Sequence, residues 1–197
     1  MTLEQLKING DAPHWLNPEG FQTLSKGYLL PGETPKQMWT RVAASSAKYL
    51  KKPEMASRFF ELFWNNWLCG ASPIVANCGT ERGLPISCYG LCIPDSIDGI
   101  WTSMHEVAML TKHGGGIGTY WGKVRGRGSK ISGNGISDGT IPFVKVFDST
   151  IIGTSQGGTR RGAGAAYLDI EHTDWDEFVE IRRPSGDINR QCLNIHH

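Results

Sequence analysis

The chain has 197 residues, 39% of them hydrophobic and 10% aromatic, enough for one domain, or a domain with a subdomain, around a packed core. Its formal net charge of +1 argues against a general electrostatic binder of nucleic acid or membrane surfaces. No apolar run approaches the roughly 20 residues that span a bilayer, and the opening MTLEQLKING lacks the basic-then-apolar layout of an export signal. The five cysteines, Cys69, Cys78, Cys88, Cys92 and Cys192, are odd in number and form no CxxC pair. They are expected to be reduced thiols of a cytoplasmic protein, with no disulfide framework and no metal site.

Residues 1–70 read as helical. Thr34-Pro35 is a helix start, a capping residue followed by proline in the first turn. Met38, Trp39, Val42, Ala43, Ser46 and Tyr49 then recur at helical spacing. A further helix is expected after Pro53, with Phe59, Phe60, Phe63, Trp64 and Trp67 as a wide apolar face and Gly70 at its end. The pattern then changes. PISCYGLCI, Pro85 to Ile93, reads as a strand. Asp95-Ser96 can cap a helix reaching His113, with Ile97, Ile100, Trp101, Met104, Val107, Ala108 and Thr111 on one stripe. GGGIGTYWGKVR from Gly114 is a turn and a strand, and a polar glycine-rich loop covers Gly126 to Gly139. Thr140-Pro142 starts a helix carrying Phe143, Val144, Phe147 and Ile151, the strand GAGAAYLDI follows, and Thr173 can cap a last helix with Trp175, Phe178 and Val179. Alternating strands and helices make an α/β pattern.

Several features have both a structural and a functional reading. GGGIGT departs from G-x-G-x-x-G at its last glycine, and GRGSK lacks Walker A spacing, so a standard mononucleotide loop is disfavoured. Glycine turns at strand–helix junctions still offer backbone N–H groups to anions, or simply allow tight packing. Asp95 is either part of a helix cap or an acceptor for a ribose hydroxyl. Lys112, Lys123, Arg125, Arg127 and Lys130 form a loose basic set, a solvated face or a holder of a triphosphate. Cys88 and Cys92 lie four apart on a strand and therefore on one face, where cysteine is commonly a small hydrophobe. TSQGGTRRGAGAAY, Thr154 to Tyr167, places Gln156 and two arginines on a glycine-rich loop just before a strand.

Taken together, these pieces resemble one family, the large catalytic subunit of ribonucleotide reductase. ASPIVANCGTERGLPISC, DSIDGIW, TKHGGGIG, VRGRGSKISGNG, SQGGTRRGA and NIHH follow in the family's order, and GYLLPGETPKQMW is similar to its helical N-terminal segment. The resemblance implies a helical domain over residues 1–70. Over 71–197 it implies the first strands and helices of a ten-stranded α/β barrel, an incomplete half barrel.

The resemblance also implies roles. Cys88 matches the first cysteine of the redox pair that reduces the ribose 2′ position. Ser72, Ser87, Gly115 and Gly116 match substrate-binding positions. Asp95, Ser96, Lys112, Arg125 and Ile131 match the allosteric specificity site, where a deoxynucleoside triphosphate or ATP binds at a dimer interface. Gln156, Gly157, Gly158 and Arg161 match the loop that links this effector to substrate choice. The family's radical cysteine, second redox cysteine and distal phosphate site have no counterpart in the chain. A downstream polypeptide carrying the rest of the barrel is therefore expected, from a split gene or a longer protein, and the chain alone is expected to be inactive and to expose apolar surface and strand edges. Further implied partners are a second large subunit, thioredoxin or glutaredoxin, and a radical source, either a dimetal small subunit or adenosylcobalamin. Readings from other classes are a non-catalytic nucleotide-binding regulatory module and an inactive remnant of an interrupted gene.

Overall fold

The computed structural model describes residues 1–133, 135–155 and 161–197. They form two compact units, Met1–Ile86 and Ser87–His197. The division expected after residue 70 falls inside the first unit, before its last helix.

In the first unit, α1 (Leu3–Ile8) and α3 (Pro35–Tyr49) both start with reciprocal capping boxes, Thr2 with Gln5 and Thr34 with Gln37. Between them, α2 (Pro18–Gly27) is capped by Asn17, whose Oδ1 accepts the Gly20 N–H at 2.7 Å. A 3₁₀ turn, Pro53–Met55, leads into α4 (Ala56–Trp64), and α5 (Ser72–Asn77) follows. Met38, Trp39, Val42, Phe63 and Cys78 make the core on which α2 to α5 pack, while Leu3 and Leu6 of α1 join Ala12 and Leu16 in a smaller cluster. Arg41 ties the unit together. Its guanidinium donates to both oxygens of Glu33 at 2.7 and 3.1 Å and to the Cys78 carbonyl. Burial pushes the Glu33 carboxyl up, but the Arg41 hydrogen bond, the Leu30 amide and the nearby arginine charges outweigh it and hold it below its usual value.

Trp67 corrects the expected extent of α4. The helix ends at Trp64, and Asn66 adopts a left-handed conformation with φ of 59°. The Trp67 N–H turns back to the Leu62 carbonyl and the Asn66 N–H to that of Phe63, a Schellman stop built on asparagine rather than on Gly70. Trp67 is left 76% exposed instead of on the apolar face.

The second unit is a parallel sheet with helical crossovers. Its strands are β1 (Cys88–Cys92), β2 (Gly116–Tyr120) and, later in the chain, β5 (Ala163–Tyr167), in spatial order β1-β2-β5. The crossovers are α6 (Ile97–Lys112), capped by Ser96, and α7 (Ile141–Thr154). The loop expected over Gly126–Gly139 contains a small antiparallel pair, β3 (Lys130–Ile131) with β4 (Gly135–Ile136). The last helix, α8 (Trp175–Phe178), is a single turn, and Asp174 rather than Thr173 precedes it.

Both crossovers pack on one face of the sheet. Ile100, Met104 and Val107 of α6 and Val144, Phe147 and Ile151 of α7 meet Ile117, Trp121 and Ala166 in a continuous core. The apolar stripe expected on α6 is narrower than the pattern suggested, since Ile97 and Trp101 are 59% and 50% exposed. Near its end the chain returns to the sheet. His196 bridges Ala165 in parallel fashion, its N–H donating to the Gly164 carbonyl at 2.9 Å while its carbonyl accepts from Ala166 at 2.8 Å. Buried Asp148 holds this segment from α7 by accepting from the Asn194 N–H, the Asn194 side-chain amide and the Ile195 N–H, each at 3.0 Å. Among the described residues the sheet is not closed.

Candidate functional site

The sheet face away from α6 and α7 carries two rows of small residues in register and a third that ends in tyrosines. Cys88, Gly116 and Ala163 form one row, Gly90, Gly118 and Ala165 the next, and Cys92, Tyr120 and Tyr167 the third. Together they floor an open cleft of about 650 Å³ that His196 also lines. The absence of side chains is what makes the cleft. A Cβ at Gly118 would come within 3.0 Å of the Tyr167 ring. One at Gly116 would come within 3.3 Å of the Ser87 carbonyl.

Cys88 stands exposed at the N-terminal end of this face, with its Sγ 3.8 Å from the Ser87 hydroxyl. The Ser87 carbonyl accepts the Gly116 N–H, which fixes where β1 and β2 begin. Thus Cys88 and Gly116 line one end of the cleft, with Ser87 and Gly115 next to them in the chain but outside its lining. Cys92 shares the face but lies roughly 13 Å away at about 3.3 Å per strand residue, too far for a disulfide with Cys88. Cys192 is fully buried, and burial, with the Asp148 charge adding, pushes its thiol up to about 12. All five cysteines are free thiols. Ser72 belongs to the first unit, where it opens α5 exposed, with its hydroxyl 3.3 Å from that of Tyr28.

At the far end of the cleft, the Tyr120 hydroxyl donates to Asp169 at 2.5 Å. That bond, with burial and the charges of Asp169 and Cys92, raises the Tyr120 phenol above its ordinary value. Neither Tyr120 nor Asp169 stands out in the sequence, because the pair forms only once β2 and the end of β5 lie side by side.

A second cavity, of about 400 Å³, lies beside the start of α6. It gathers Asp95, Ser96, Arg125 and Ile131 with Ile136, Asp138, Gly139 and Phe143. Arg125 Nε donates to both Asp95 oxygens at 3.0 and 2.9 Å, and its backbone N–H reaches Oδ1 at 3.2 Å. Burial alone would raise the Asp95 carboxyl, but the side-chain and backbone bonds from Arg125 and its charge lower it, so Asp95 is an anion. Ser96 caps α6 by accepting the Gly99 N–H at 3.1 Å, so Ser96 serves as a cap and also lines the cavity.

Lys112 does not join this group within the chain. It closes α6 at the opposite end from Ser96, about 24 Å away at about 1.5 Å per residue. Among the other basic residues singled out, Arg127 pairs with Glu177 at 3.6 Å, and Lys130 offers its carbonyl to Arg125. Gln156, Gly157 and Gly158 lie outside the described residues. Arg161 is exposed, and the next residue, Gly162, donates its N–H to the Ser155 hydroxyl at 3.1 Å. Among the described residues, no three His, Cys, Asp or Glu side chains are grouped to hold a metal ion, and no helix is long and apolar enough to cross a membrane.

Comparison with known proteins bears on the fold and the family. Residues 14–83 match the ribonucleotide reductase all-alpha domain, and residues 86–197 match the ribonucleotide reductase barrel domain. The alpha subunit of ribonucleoside-diphosphate reductase from Helicobacter pylori strain 26695 is 40% identical, over 96% of this chain and 25% of the relative. The large subunit from Arabidopsis thaliana is 38% identical, over 90% of this chain and 22% of the relative. The solved Actinobacillus ureae class Id ribonucleotide reductase alpha subunit superposes with a TM-score of 0.79 at 36% identity, covering 92% of this chain and 32% of that one. The chain thus spans about a quarter of the length of the curated relatives it matches. The open parallel sheet is the first part of the family's barrel, and the chain belongs to the ribonucleotide reductase large-subunit family.

Proposed function

We propose that this chain serves the reduction of ribonucleoside diphosphates to deoxyribonucleoside diphosphates, with Cys88 as one of the two thiols that supply the electrons. The observation that carries this reading is the exposed Cys88 on an uncovered, glycine-paved sheet face, in a chain whose sequence matches the reductase barrel domain. The paving would let a sugar lie against backbone, and Ser87, Gly115 and Gly116 are the substrate contacts this reading assigns. Two cysteine thiols give two electrons and two protons, the ribose 2′ hydroxyl leaves as water, C2′ gains hydrogen, and the sulfurs join as a disulfide. Neither Cys92 nor Cys192 suits the second role, one for distance and the other for burial. The second thiol and the radical cysteine come from the remainder of the barrel, and thioredoxin or glutaredoxin restores the pair. A dimetal small subunit or adenosylcobalamin supplies the radical.

The cavity beside α6 is proposed as the effector site for a deoxynucleoside triphosphate or ATP, with a second large subunit bringing its Lys112 alongside. Arg125 offers a fixed cation for phosphate and Asp95 an acceptor for ribose hydroxyls. The segment with Gln156, Gly157, Gly158 and Arg161 would couple the bound base to substrate choice.

The test is Cys88→Ser in the reductase purified from its source with all its subunits. Multiple turnover should vanish while triphosphate binding stays at the wild-type level. Unchanged steady-state reduction would remove Cys88 from the reaction. A regulatory nucleotide-binding module is the second reading, favoured by the pairing of Asp95 with Arg125 in a cavity that contains no cysteine. Triphosphate binding in a protein that performs no reduction with any partner would select it.

A further inference from the structure

Asp174 is 3% exposed and lies outside the cavity that holds Asp95 and Arg125. Its carboxylate nevertheless controls both ends of the segment that builds one wall of that cavity. Oδ1 accepts the Arg127 N–H at 2.7 Å. Oδ2 accepts the Thr140 N–H at 2.7 Å and the Thr140 hydroxyl at 3.0 Å. Between Arg127 and Thr140 lie Ile131, Ile136, Ser137, Asp138 and Gly139, all lining the cavity. Burial would raise this carboxyl. The amides of Arg127 and Thr140 and the Thr140 hydroxyl outweigh it and hold the group below its ordinary value, as an anion.

The surroundings are shaped for this clamp. Gly139 has φ of +86°, and a Cβ there would sit 2.5 Å from Asp174 Oδ2 and 3.0 Å from the Arg127 nitrogen. At Gly126, a Cβ would collide with the Thr173 hydroxyl. Both ends of the segment therefore carry glycine where the backbone must approach the Thr173–Asp174 pair. His172 extends the contact. Its Nδ1 accepts the Asp174 N–H at 3.1 Å, which places the hydrogen of the neutral ring on Nε2, 2.8 Å from the carbonyl of Val124, another cavity residue. Arg190, paired with Glu177, donates to the Asp138 carbonyl at 3.3 Å from the outer side.

We infer that Asp174 is a positioning residue for the triphosphate site: by joining the two ends of the Arg127–Thr140 segment it sets the shape of the pocket that Arg125 charges. The inference rests on the reading of that cavity as the effector site. Its role differs from general stabilisation, and the molecule contains a matched control. Asp148 is a similarly buried carboxylate with three N–H donors, but the residues it holds, Asn194 and Ile195, do not belong to the cavity or to the segment that walls it.

The experiment measures dATP binding by calorimetry, with thermal melting alongside, for the full chain and its Asp174→Asn, Asp148→Asn and Arg125→Ala variants. In Asp174→Asn one oxygen becomes an NH₂ that faces donors it cannot serve. The expected result is a loss of dATP affinity of about tenfold or more, the equivalent of one to two such bonds. Asp148→Asn should lower the melting temperature and leave dATP affinity within about twofold. Equal affinity losses in the two variants, or none in Asp174→Asn, would overturn the assignment. If Asp174→Asn does not fold, Thr140→Val carries the test, because it removes only the hydroxyl donor. About a threefold weaker affinity is then expected, and an unchanged one counts against the clamp. Failure of the wild type to bind dATP, or full affinity in Arg125→Ala, would overturn the effector-site reading itself and the inference with it. Loss in Arg125→Ala but not in Asp174→Asn would overturn the inference alone.

Discussion

The two faces of the parallel sheet come from the same three strands and the same alternation of side chains, yet they are built for opposite ends. The covered face presents Ile117, Thr119 and Ala166 to α6 and α7, and its polar groups are satisfied internally. Trp121 Nε1 donates to Thr119 at 2.9 Å, and the Thr119 hydroxyl reaches the Ala165 carbonyl at 3.3 Å. The open face carries Cys88, Gly90 and Cys92 opposite Gly116, Gly118 and Tyr120. One strand register thus separates residues that hold the fold from residues free to meet a ligand. Two thiols in one unit show the consequence. Cys192 is sealed beneath the sheet, whereas Cys88 stands open on it.

Thiol chemistry is the sharpest way to break that contrast. At pH 8 a thiol held at about 12 is ionised to roughly one part in 10⁴. Maleimide should therefore modify Cys88 and Cys92 in the native protein and spare Cys192 by orders of magnitude, as read by peptide mass spectrometry over time. Comparable labelling of Cys192 under native conditions would mean that the covered face is not covered.

A pair of glycines tests packing on the two sides. At Gly164 a Cβ would run into Ile151 and come within 3.0 Å of Phe147, so Gly164→Ala should cost about 1–3 kcal/mol through overpacking. At Gly90 nothing lies within 4 Å, and Gly90→Ala should change stability by no more than about 0.5 kcal/mol. Urea denaturation of both variants gives the comparison, and equal costs would erase it.

The smallest expected effect is at the second cavity. Asp95 and Arg125 are each about a third exposed, at 35% and 36% of their side-chain surface, so Arg125→Ala should barely alter stability. The sign with pH is defined. The folded Asp95 carboxyl lies below its ordinary value of 3.8, so the pair's contribution is present above that value and is lost as pH falls through the folded one. Denaturation midpoints of wild type and variant should therefore converge in acid. A large loss at neutral pH would mean that Arg125 serves the fold rather than a ligand.

Local chemistry was legible in the sequence wherever it acts over a few residues. The Thr34 and Ser96 caps, the strand cores and the shared face of Cys88 and Cys92 follow from spacing alone. The gathering of Asp95, Ser96, Arg125 and Ile131 followed from resemblance, because their separation along the chain carries no signal of its own. What escaped depends on tertiary contact. The stop at Asn66 reads as ordinary helix until its left-handed φ is seen. Asp148 and Asp174 look like surface acids, and only folding brings their donors to them from segments remote in the chain. The same resemblance groups Lys112 with Asp95 and Ser96, and within the chain α6 holds it at the end opposite Ser96.

The central claim is that Cys88 is oxidised in the reaction. The direct measurement maps thiols with isotope-coded maleimides before and after the reductase, purified from its source with its subunits, converts ribonucleotide without added reductant. The account predicts that Cys88 loses its free thiol in step with product while Cys78 and Cys192 keep theirs. Product formation with Cys88 still fully alkylatable would contradict it.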